Sequence, residues 1–328
     1  MSTTLYYTEE PTAQLHASEP TAIHQRCDLA YLNEGGANFV FFILPSESQA
    51  DIPSKLQGKL LRLRKESPHA QASQDTLAAF DQHFKPLFQP ENLVQFELIN
   101  LGSGVPSKIN AMLKSLHRPS HRHHDFLPAD DRYGLLLTDM TPKEGDTLLQ
   151  LKPKWLVQSS SAPSDARRCR TCALRARRAS HQIKTATDAQ ATCPLKLVSG
   201  VVEDRKHTAE AITNDQELQD YLTNEAQPIL QQLRFWQAKL DPHGILHVSD
   251  EQAMFDFCKA MTLRDCTLFL KRTGGQVEAR FADLDIKQPE KFATWKKVEH
   301  ELISSGWYTN TEKDQAWIKE QVCLLSKP

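Results

Sequence analysis

Residues 264–287 read RDCTLFLKRTGGQVEARFADLDIK. Two short apolar runs, at 267–271 and 277–282, flank a Thr-Gly-Gly turn that begins at Thr273, and such a turn between apolar runs is a hairpin signal. The residues that follow, 289–304, have the apolar spacing of an amphipathic helix with proline at its start. The stretch therefore predicts two antiparallel strands followed by a helix.

Aspartates stand at the open ends of this predicted hairpin. Asp265 precedes the first strand, and Asp283 and Asp285 follow the second. Transfer of a phosphoryl group needs one carboxylate that orients or deprotonates the attacking hydroxyl and another that holds magnesium on the nucleotide phosphates. Aspartates at strand ends also form turns or cap helices, so the spacing permits both interpretations.

The apolar pattern divides the whole chain into two parts. Up to Thr138, strand-like segments alternate with single helices, whereas helical spacing prevails from Ala166 onward. We therefore predict an α+β fold with a smaller, β-rich N-lobe at 1–138 and a larger, more helical C-lobe at 139–328. The other predicted strands are 38–44, 59–64, 93–101, 133–139 and 147–152, and the other predicted helices are 75–88, 107–117, 218–233 and 253–261.

Composition limits the possible function classes. The 328 residues carry a formal net charge of -2, which argues against a wholly basic nucleic-acid binder. The longest apolar run, 39–44, is far shorter than the roughly 18 residues that cross a bilayer, and the N-terminus lacks the basic and apolar regions of a secretory signal. Seven cysteines without a dense framework are typical of reduced thiols, so we expect an intracellular protein.

Three short segments have features of phosphate-binding sites. Small residues at 33–38 (NEGGAN) precede a strand, and their N–H groups could approach a phosphate closely. The strand at 58–65 has a basic face that includes Arg62. Lys152 and Lys154 flank a proline that fixes the separation of their ammonium groups. A tight turn, an edge strand and a solvated strand end are the ordinary alternatives.

The stretch 167–178 (RRCRTCALRARR) is strongly basic. Its six arginines without an acid indicate an anionic partner, because guanidinium groups bind phosphates bidentately and stay charged. On a helix, Arg168, Arg175 and Arg178 could share one face.

The cysteines of this stretch have half of a zinc motif. Cys169 and Cys172 have the C-x-x-C spacing, and His181 and Cys193 follow nearby. Because no second pair of ligands follows at the usual spacing, we expect ordinary thiols and no zinc.

Taken together and in order, these segments resemble the inositol-pentakisphosphate 2-kinase family. The matching pieces are EGGAN at 34–38, GKLLR at 58–62, KPK at 152–154, CRTC at 169–172, CPL at 193–195 with Ser199-Gly200, RDC at 264–266 and DLDIK at 283–287. They are collinear and span roughly residues 31–295, and the short, arginine-rich form is similar to the fungal branch. The resemblance implies a two-lobed, kinase-like fold of the inositol polyphosphate kinase type, with ATP between the lobes.

The resemblance also implies a reaction, in which ATP and Mg²⁺ serve to phosphorylate the 2-hydroxyl of inositol 1,3,4,5,6-pentakisphosphate to inositol hexakisphosphate (phytate), in the nucleus or cytoplasm. Asp265 would be the catalytic carboxylate that accepts the hydroxyl proton, and Asp283 and Asp285 would hold magnesium. The implied ATP-binding residues are Gly35, Gly36, Ala37, Asn38, Arg62, Thr138, Asp139 and Met140. The implied inositol-phosphate-binding residues are Arg122, Lys152, Lys154, Arg178, Lys287, Lys291 and Trp295.

This sequence departs from the family pattern in places. Gln150 stands where the family commonly has an acid, and Lys291 replaces an arginine. The insertion that carries zinc in plant members is absent, so the resemblance does not imply zinc. The alternatives are an inositol-phosphate-binding pseudokinase and an arginine-rich nucleic-acid- or zinc-binding protein. As a kinase, the protein is expected to be a monomer whose partners are its small-molecule substrates, without a membrane or a specific nucleic acid.

Overall fold

The structure is a computed structural model that describes residues 2–7, 23–46, 51–67, 70–102, 104–180, 192–310 and 323–326. It contains both helices and two β-sheets, which confirms the predicted α+β class. Within these ranges, no helix combines the length and the apolar character needed to cross a membrane. The chain forms two compact units: unit 1 contains Met1–Gln82 and Val94–Asp139, and unit 2 contains His83–Leu93 and Met140–Pro328.

Unit 1 is built on a closed antiparallel sheet of six strands. The strands are β1 (Ser2–Tyr7), β2 (Ile23–Glu34), β3 (Asn38–Pro45), β4 (Lys59–Arg64), β5 (Phe96–Leu101) and β6 (Tyr133–Thr138), in the order β1-β2-β3-β4-β6-β5. The sheet closes because β1 also pairs with β5. The helices are α1 (Ser73–His83) and α2 (Val105–Ser115), and α2 contributes Ile109 and Leu113 to the core of the sheet.

The core of unit 1 follows from alternation along the strands. Phe39 and Phe41 of β3 are buried, and so are Leu61 and Leu63 of β4. Because successive side chains of a strand point to opposite faces, Arg62 lies on the other face of β4, as predicted.

Unit 2 combines a small sheet with most of the helices. The antiparallel strands β7 (Thr147–Leu151), β8 (Thr267–Thr273) and β9 (Gln276–Ala282) lie in that order. The β8–β9 hairpin confirms the prediction, and Gly274 and Gly275 in its turn have φ of 55° and 83°, a conformation that favours glycine. The helices are α3 (Arg170–Ser180), α4 (Pro194–Leu197), α5 (Val202–Ile212), α6 (Gln216–Thr223), α7 (Gln227–Lys239), α8 (Glu251–Leu263) and α9 (Phe292–Ser304).

Four buried cysteines lie together in unit 2. The sulfurs of Cys169, Cys172, Cys193 and Cys323 all lie within 4.8 Å of one another. The expectation of ordinary thiols without zinc rested on the lack of a second pair of ligands at the usual spacing. The fourth thiol, Cys323, lies 130 residues after Cys193, where a spacing argument does not reach, and the expectation stays a prediction. His181 lies outside the described residues.

Candidate active site

The register of the small sheet brings three chain segments to one edge. Leu151 pairs with Leu268, so the residues that follow β7 lie beside those that precede β8. Thr267 pairs with Ala282, so the residues that follow β9 also lie beside the start of β8. These are the segments that carry the Lys-Pro-Lys motif, Asp265 and Asp283.

Asp265 lies at the centre of a cluster of lysines. Lys287 Nζ is 2.6 Å from Asp265 Oδ2, and Lys154 Nζ is 3.1 Å from Asp265 Oδ1. Lys152 Nζ is 3.5 Å from the same Oδ1 and donates to the Asp265 main-chain carbonyl at 2.9 Å. One carboxylate therefore faces three ammonium groups.

These contacts determine the charge state of Asp265. Burial alone would raise its pKa, but the hydrogen bond from Lys287 and the charges of Lys287, Lys154 and Lys152 outweigh burial and hold the pKa well below the usual range of an aspartate. Burial lowers the pKa of Lys154, and the charge of Asp265 opposes that shift. Asp265 is consequently ionised at neutral pH, and its carboxylate can only accept hydrogen bonds.

Two residues of the site have a strained backbone. Lys154 and Asp283 have φ of 60° and 58°, and among the described residues they are the non-glycine residues with positive φ. Such a conformation costs on the order of 1–3 kcal/mol and is typical of functional sites. Asp283 Oδ2 accepts a hydrogen bond from the Thr267 hydroxyl at 2.5 Å and is 4.0 Å from Lys152 Nζ.

A cavity of about 400 Å³ opens beside Asp265 and is formed entirely by unit 2. Among the described residues that line it, Asp265 is the single carboxylate beside eight cationic side chains, and Trp155 and Trp295 add aromatic surface. The cationic residues are Lys154, Arg170, Arg175, Arg177, Arg178, Arg264, Lys287 and Lys291. The volume lies within the range of about 300–1,000 Å³ that is usual for small-molecule sites.

Some of these charges are already balanced. Arg170 pairs with Glu299, Arg177 with Glu301 and Arg264 with Asp241, at N–O distances of 2.9, 2.6 and 2.8 Å. None of these three acids lines the cavity. Five cationic residues of the described lining remain, and Asp265 is the one acidic residue that lines the cavity with them. Positive charge is therefore in excess, and the cavity favours a strongly anionic ligand.

A buried stack supports the chain just before Asp265. The Arg264 guanidinium carbon is 3.6 Å from the centre of the Trp155 ring, and that of Arg170 is 4.4 Å from it. Arg264 NH2 also donates to the Gln237 main-chain carbonyl at 3.3 Å. Cation–π contacts and a buried ion pair therefore fix Arg264, and with it the position of Asp265.

The structure brings together most of the site residues predicted for the second lobe. Asp265, Lys154, Arg178, Lys287, Lys291 and Trp295 all line the cavity. Lys152 reaches Asp265 without lining the cavity, and Asp283 lies next to Lys152. Asp285 contributes its main-chain carbonyl to the hydroxyl of Thr262.

Sequence reasoning missed part of the lining. Helix α3 presents Thr171, Leu174, Arg175 and Arg178 to the cavity. These positions have the spacing of one helix face, and that pattern could have predicted their common orientation from the sequence. Arg168 does not share that face as expected, because it precedes α3 and donates to the carbonyls of Trp307 and Asn310. The roles of Arg170, Trp155 and Arg264 had no local signal, because their partners are distant in sequence.

The predicted nucleotide loop forms the turn between β2 and β3 in unit 1. The Gly35 N–H donates to the Asn38 carbonyl at 2.8 Å. A Cβ added at Gly35 or Gly36 would meet no atom of the described residues within 4 Å, and neither residue has positive φ. Neither the backbone nor the packing of the described chain therefore requires glycine here, and space for an external group is left beside the turn.

Buried charges hold this turn in place. Glu34, which precedes the glycines, is 2.5 Å from Lys65 Nζ and 2.9 Å from Arg118 Nε. Arg122, a predicted inositol-phosphate residue, donates to the Glu34 main-chain carbonyl, so it belongs to this turn in unit 1.

The other predicted ATP-binding residues lie farther along the chain. The Arg62 guanidinium carbon is 5.6 Å from the centre of the Phe96 ring. The Thr138 hydroxyl accepts from the Gln95 N–H at 3.1 Å, and the Asp139 N–H donates to the Gly58 carbonyl at 2.9 Å. Met140 is buried and begins the second segment of unit 2.

Comparison with known proteins points in one direction. The family model described as Inositol-pentakisphosphate 2-kinase matches residues 31–301. A protein named inositol-pentakisphosphate 2-kinase from Yarrowia lipolytica is 31% identical over 204 residues, which are 53% of this chain and 65% of that protein. One of the same name from Cryptococcus neoformans var. neoformans serotype D is 32% identical over 148 residues, which are 42% of this chain and 34% of that protein. The chain thus spans less than two thirds of the length of these curated relatives.

Proposed function

Because the chain belongs to the inositol-pentakisphosphate 2-kinase family, we propose that it transfers the terminal phosphate of ATP to the 2-hydroxyl of inositol 1,3,4,5,6-pentakisphosphate. The products are ADP and inositol hexakisphosphate. The observation that carries this proposal is the cavity of unit 2, where Asp265 is the single carboxylate of the described lining and eight cationic side chains surround the same space.

The charge of the cavity supports a highly phosphorylated acceptor. Five phosphate groups carry roughly -7.5 to -10 charges at neutral pH, at about -1.5 to -2 each. Within the described part of the chain, the lining cations without an acidic partner outside the cavity are Lys154, Arg175, Arg178, Lys287 and Lys291. An acceptor that lacks one phosphate would leave a desolvated cation unpaired at a cost of about 1–3 kcal/mol or more, so the site selects by the number and position of phosphates.

Asp265 orients the attacking hydroxyl and receives its proton. In a loose transition state, the hydroxyl oxygen becomes acidic only when its bond to phosphorus is well advanced. A carboxylate with a low pKa is sufficient at that stage, and the contacts of Asp265 keep it ionised and ready to accept a hydrogen bond. The proton moves to Asp265 while the new O–P bond forms and the bond between the terminal phosphorus and the leaving ADP oxygen breaks.

We further propose that the nucleotide binds through the turn between β2 and β3, through β4 and through the residues around the end of β6. The main chain of Gly35, Gly36, Ala37 and Asn38 offers N–H donors for phosphates, Arg62 offers a fixed positive charge, and Thr138, Asp139 and Met140 flank the adenine.

Mg²⁺ fits the aspartates that follow β9. Magnesium prefers carboxylate oxygens and usually needs only one or two of them, because phosphates and water complete its coordination. Asp283 offers an exposed carboxylate on a strained backbone, and Asp285 is the second candidate ligand. When bound, the ion would neutralise charge on the transferred phosphate.

The test is a direct assay with a matched pair of acceptors. The purified full chain is incubated with Mg²⁺, ATP and either inositol 1,3,4,5,6-pentakisphosphate or an isomer that carries a phosphate at position 2 and a free hydroxyl elsewhere. Anion-exchange chromatography should detect inositol hexakisphosphate from the first acceptor alone.

The other outcomes assign the alternatives. Micromolar binding of the pentakisphosphate by calorimetry without product would favour the pseudokinase. Absence of binding together with salt-sensitive binding of DNA or RNA would favour the arginine-rich nucleic-acid protein.

A further inference from the structure

One fully buried glutamine joins two of the chain segments that form the centre of the candidate active site. Gln237 lies in the last turn of α7 and has a relative exposure of 0%. Its Oε1 accepts a hydrogen bond from the Leu156 N–H at 2.9 Å. Its Nε2 donates to the main-chain carbonyls of Lys154 at 2.8 Å and Leu263 at 3.0 Å. A single side-chain amide therefore connects the segment after β7 with the end of α8.

The two carbonyls that accept from Gln237 lie outside the regular hydrogen bonding of helices and strands. Leu263 is the last residue of α8, and the last four carbonyls of an α-helix have no partner within that helix. The Leu263 carbonyl also accepts from the weak S–H donor of Cys266 at 3.2 Å. Lys154 has a φ of 60°, a conformation that persists where the surrounding structure enforces it. Because a buried carbonyl is costly without a donor, the Gln237 amide stabilises both segments in this arrangement.

The same two segments carry an ion pair of the active site. Lys154 Nζ is 3.1 Å from Asp265 Oδ1, and Asp265 follows Leu263 by two positions. Arg264, between them, donates to the main-chain carbonyl of Gln237 at 3.3 Å. Gln237 therefore contacts the main chain of Lys154 and the two residues that precede Asp265. The spacing of these main-chain segments determines whether the ammonium group reaches the carboxylate.

We propose that Gln237 is a positioning residue that holds the Lys154 ammonium group against the Asp265 carboxylate for phosphoryl transfer. The inference rests on the proposed function, because it assigns the glutamine a part in that reaction. Gln237 does not line the cavity, so it acts through the other two residues. A displacement of about 1 Å in a positioned group can lower a reaction rate about 100-fold.

Two substitutions in the same helix form a matched pair, namely Gln237→Met and Gln227→Met. Methionine has about the length of glutamine and lacks its amide. Gln227 also donates to two main-chain carbonyls, those of Leu197 at 3.2 Å and Leu222 at 2.9 Å. Neither carbonyl belongs to the segments that carry Lys154 and Asp265. Both variants should have lower melting temperatures, so a loss of stability alone does not distinguish them.

Steady-state kinetics of the full chain with Mg²⁺, ATP and the pentakisphosphate should separate the two variants. Gln237→Met should lower kcat by about 10- to 100-fold, whereas Gln227→Met should keep kcat within about threefold. Lys154→Met should also lower kcat. In that background, Gln237→Met should lower kcat by less than about threefold further, because the ammonium group that Gln237 positions is already absent.

Crystal structures of the unsubstituted protein and both variants test the positioning without any need for activity. In Gln237→Met, the distance between Lys154 Nζ and the Asp265 carboxylate should exceed about 4 Å, the limit of an ion pair, whereas Gln227→Met should keep the contact. If the unsubstituted protein forms no product, the proposed function fails, and these structures still decide whether Gln237 positions Lys154. Gln237→Asn, which keeps the amide but is shorter by one methylene, replaces Gln237→Met if the methionine variant does not fold, with the same expected results.

Three results would each overturn the positioning role of Gln237. The first is a kcat of folded Gln237→Met equal to that of Gln227→Met. The second is an undiminished effect of Gln237→Met in the Lys154→Met background, which would mean that Gln237 does not act through Lys154. The third is an unchanged contact between Lys154 and Asp265 in the structure of Gln237→Met.

Discussion

Substitution of Asp265 by asparagine separates catalysis from binding in the proposed site. The side chain keeps its shape and loses its charge, so it can no longer accept the hydroxyl proton. We expect kcat to fall by about 10²- to 10⁴-fold, the usual contribution of a positioned general base. This range corresponds to about 2.7–5.4 kcal/mol of transition-state stabilisation.

The same substitution should leave the affinity for the acceptor unchanged or increase it. Three ammonium groups, those of Lys152, Lys154 and Lys287, lie 2.6–3.5 Å from the Asp265 carboxylate. Without that carboxylate, the local net charge rises by one, which favours an anionic acceptor. The acceptor KM should therefore stay constant or fall, and kcat/KM should decrease by no larger a factor than kcat.

The assay is steady-state kinetics over a range of acceptor concentrations, with calorimetry for acceptor binding and thermal unfolding as a check of folding. Asp256→Asn is the matched control, because this aspartate pairs with Lys259 on α8 and does not line the cavity. If Asp265→Asn keeps more than about a tenth of kcat, or raises KM strongly at constant kcat, Asp265 has a binding or structural role and the reasoning fails.

Three further substitutions test separate parts of the site. Lys287→Met removes the hydrogen bond and the charge that lower the pKa of Asp265, so burial raises that pKa and the acid limb of the kcat–pH profile should move to higher pH. Gly36→Ala should raise the KM for ATP several-fold at an unchanged melting temperature, because a Cβ there meets none of the described residues and would meet a bound phosphate. Lys291→Ala should weaken pentakisphosphate binding by about tenfold in calorimetry, because it removes a charge-assisted hydrogen bond, whereas Lys297→Ala on the exposed part of α9 should not.

Each of these expectations has a contrary result. An acid limb at the same pH in Lys287→Met would mean that Asp265 does not set that limb. A lower melting temperature with an unchanged KM for ATP would assign Gly36 to the packing of unit 1. Equal affinities of the Lys291 and Lys297 variants would place the acceptor elsewhere.

The β8–β9 hairpin and its flanking aspartates were predictable because their signals are local. A Thr-Gly-Gly turn between apolar runs specifies both the strands and their register, and the register brings Asp283 beside the start of β8. Strands β1 and β2 were not predicted. Half of the residues of β2, IHQRCDLAYLNE, are polar, and its pairing with β3 shifts register between Tyr31 and Asn33, so the alternation is interrupted.

The four cysteines of the cluster show the limit of spacing arguments. Cys169 and Cys172 are separated by two residues and were readily noticed, whereas Cys323 follows Cys193 by 130 residues. The fold brings these cysteines together, and no local sequence pattern indicates that contact. The buried ion pair of Arg170 with Glu299 could not be predicted for the same reason, because the two residues are 129 positions apart.

The cations of the cavity differ in how firmly they are held, and this difference bears on selectivity. Arg170 and Arg264 are buried, paired with acids and stacked on Trp155, so their positions do not depend on a ligand. Breaking a buried ion pair by removal of one partner costs about 3–5 kcal/mol of stability. Separation of these arginines from their acids is therefore unfavourable, and their side chains are firmly held. Lys287 and Lys291 are more exposed and can adjust to phosphates. If the proposed reaction takes place here, firmly held arginines beside Asp265 together with adjustable lysines would let the site hold one hydroxyl accurately while it accommodates several charged neighbours.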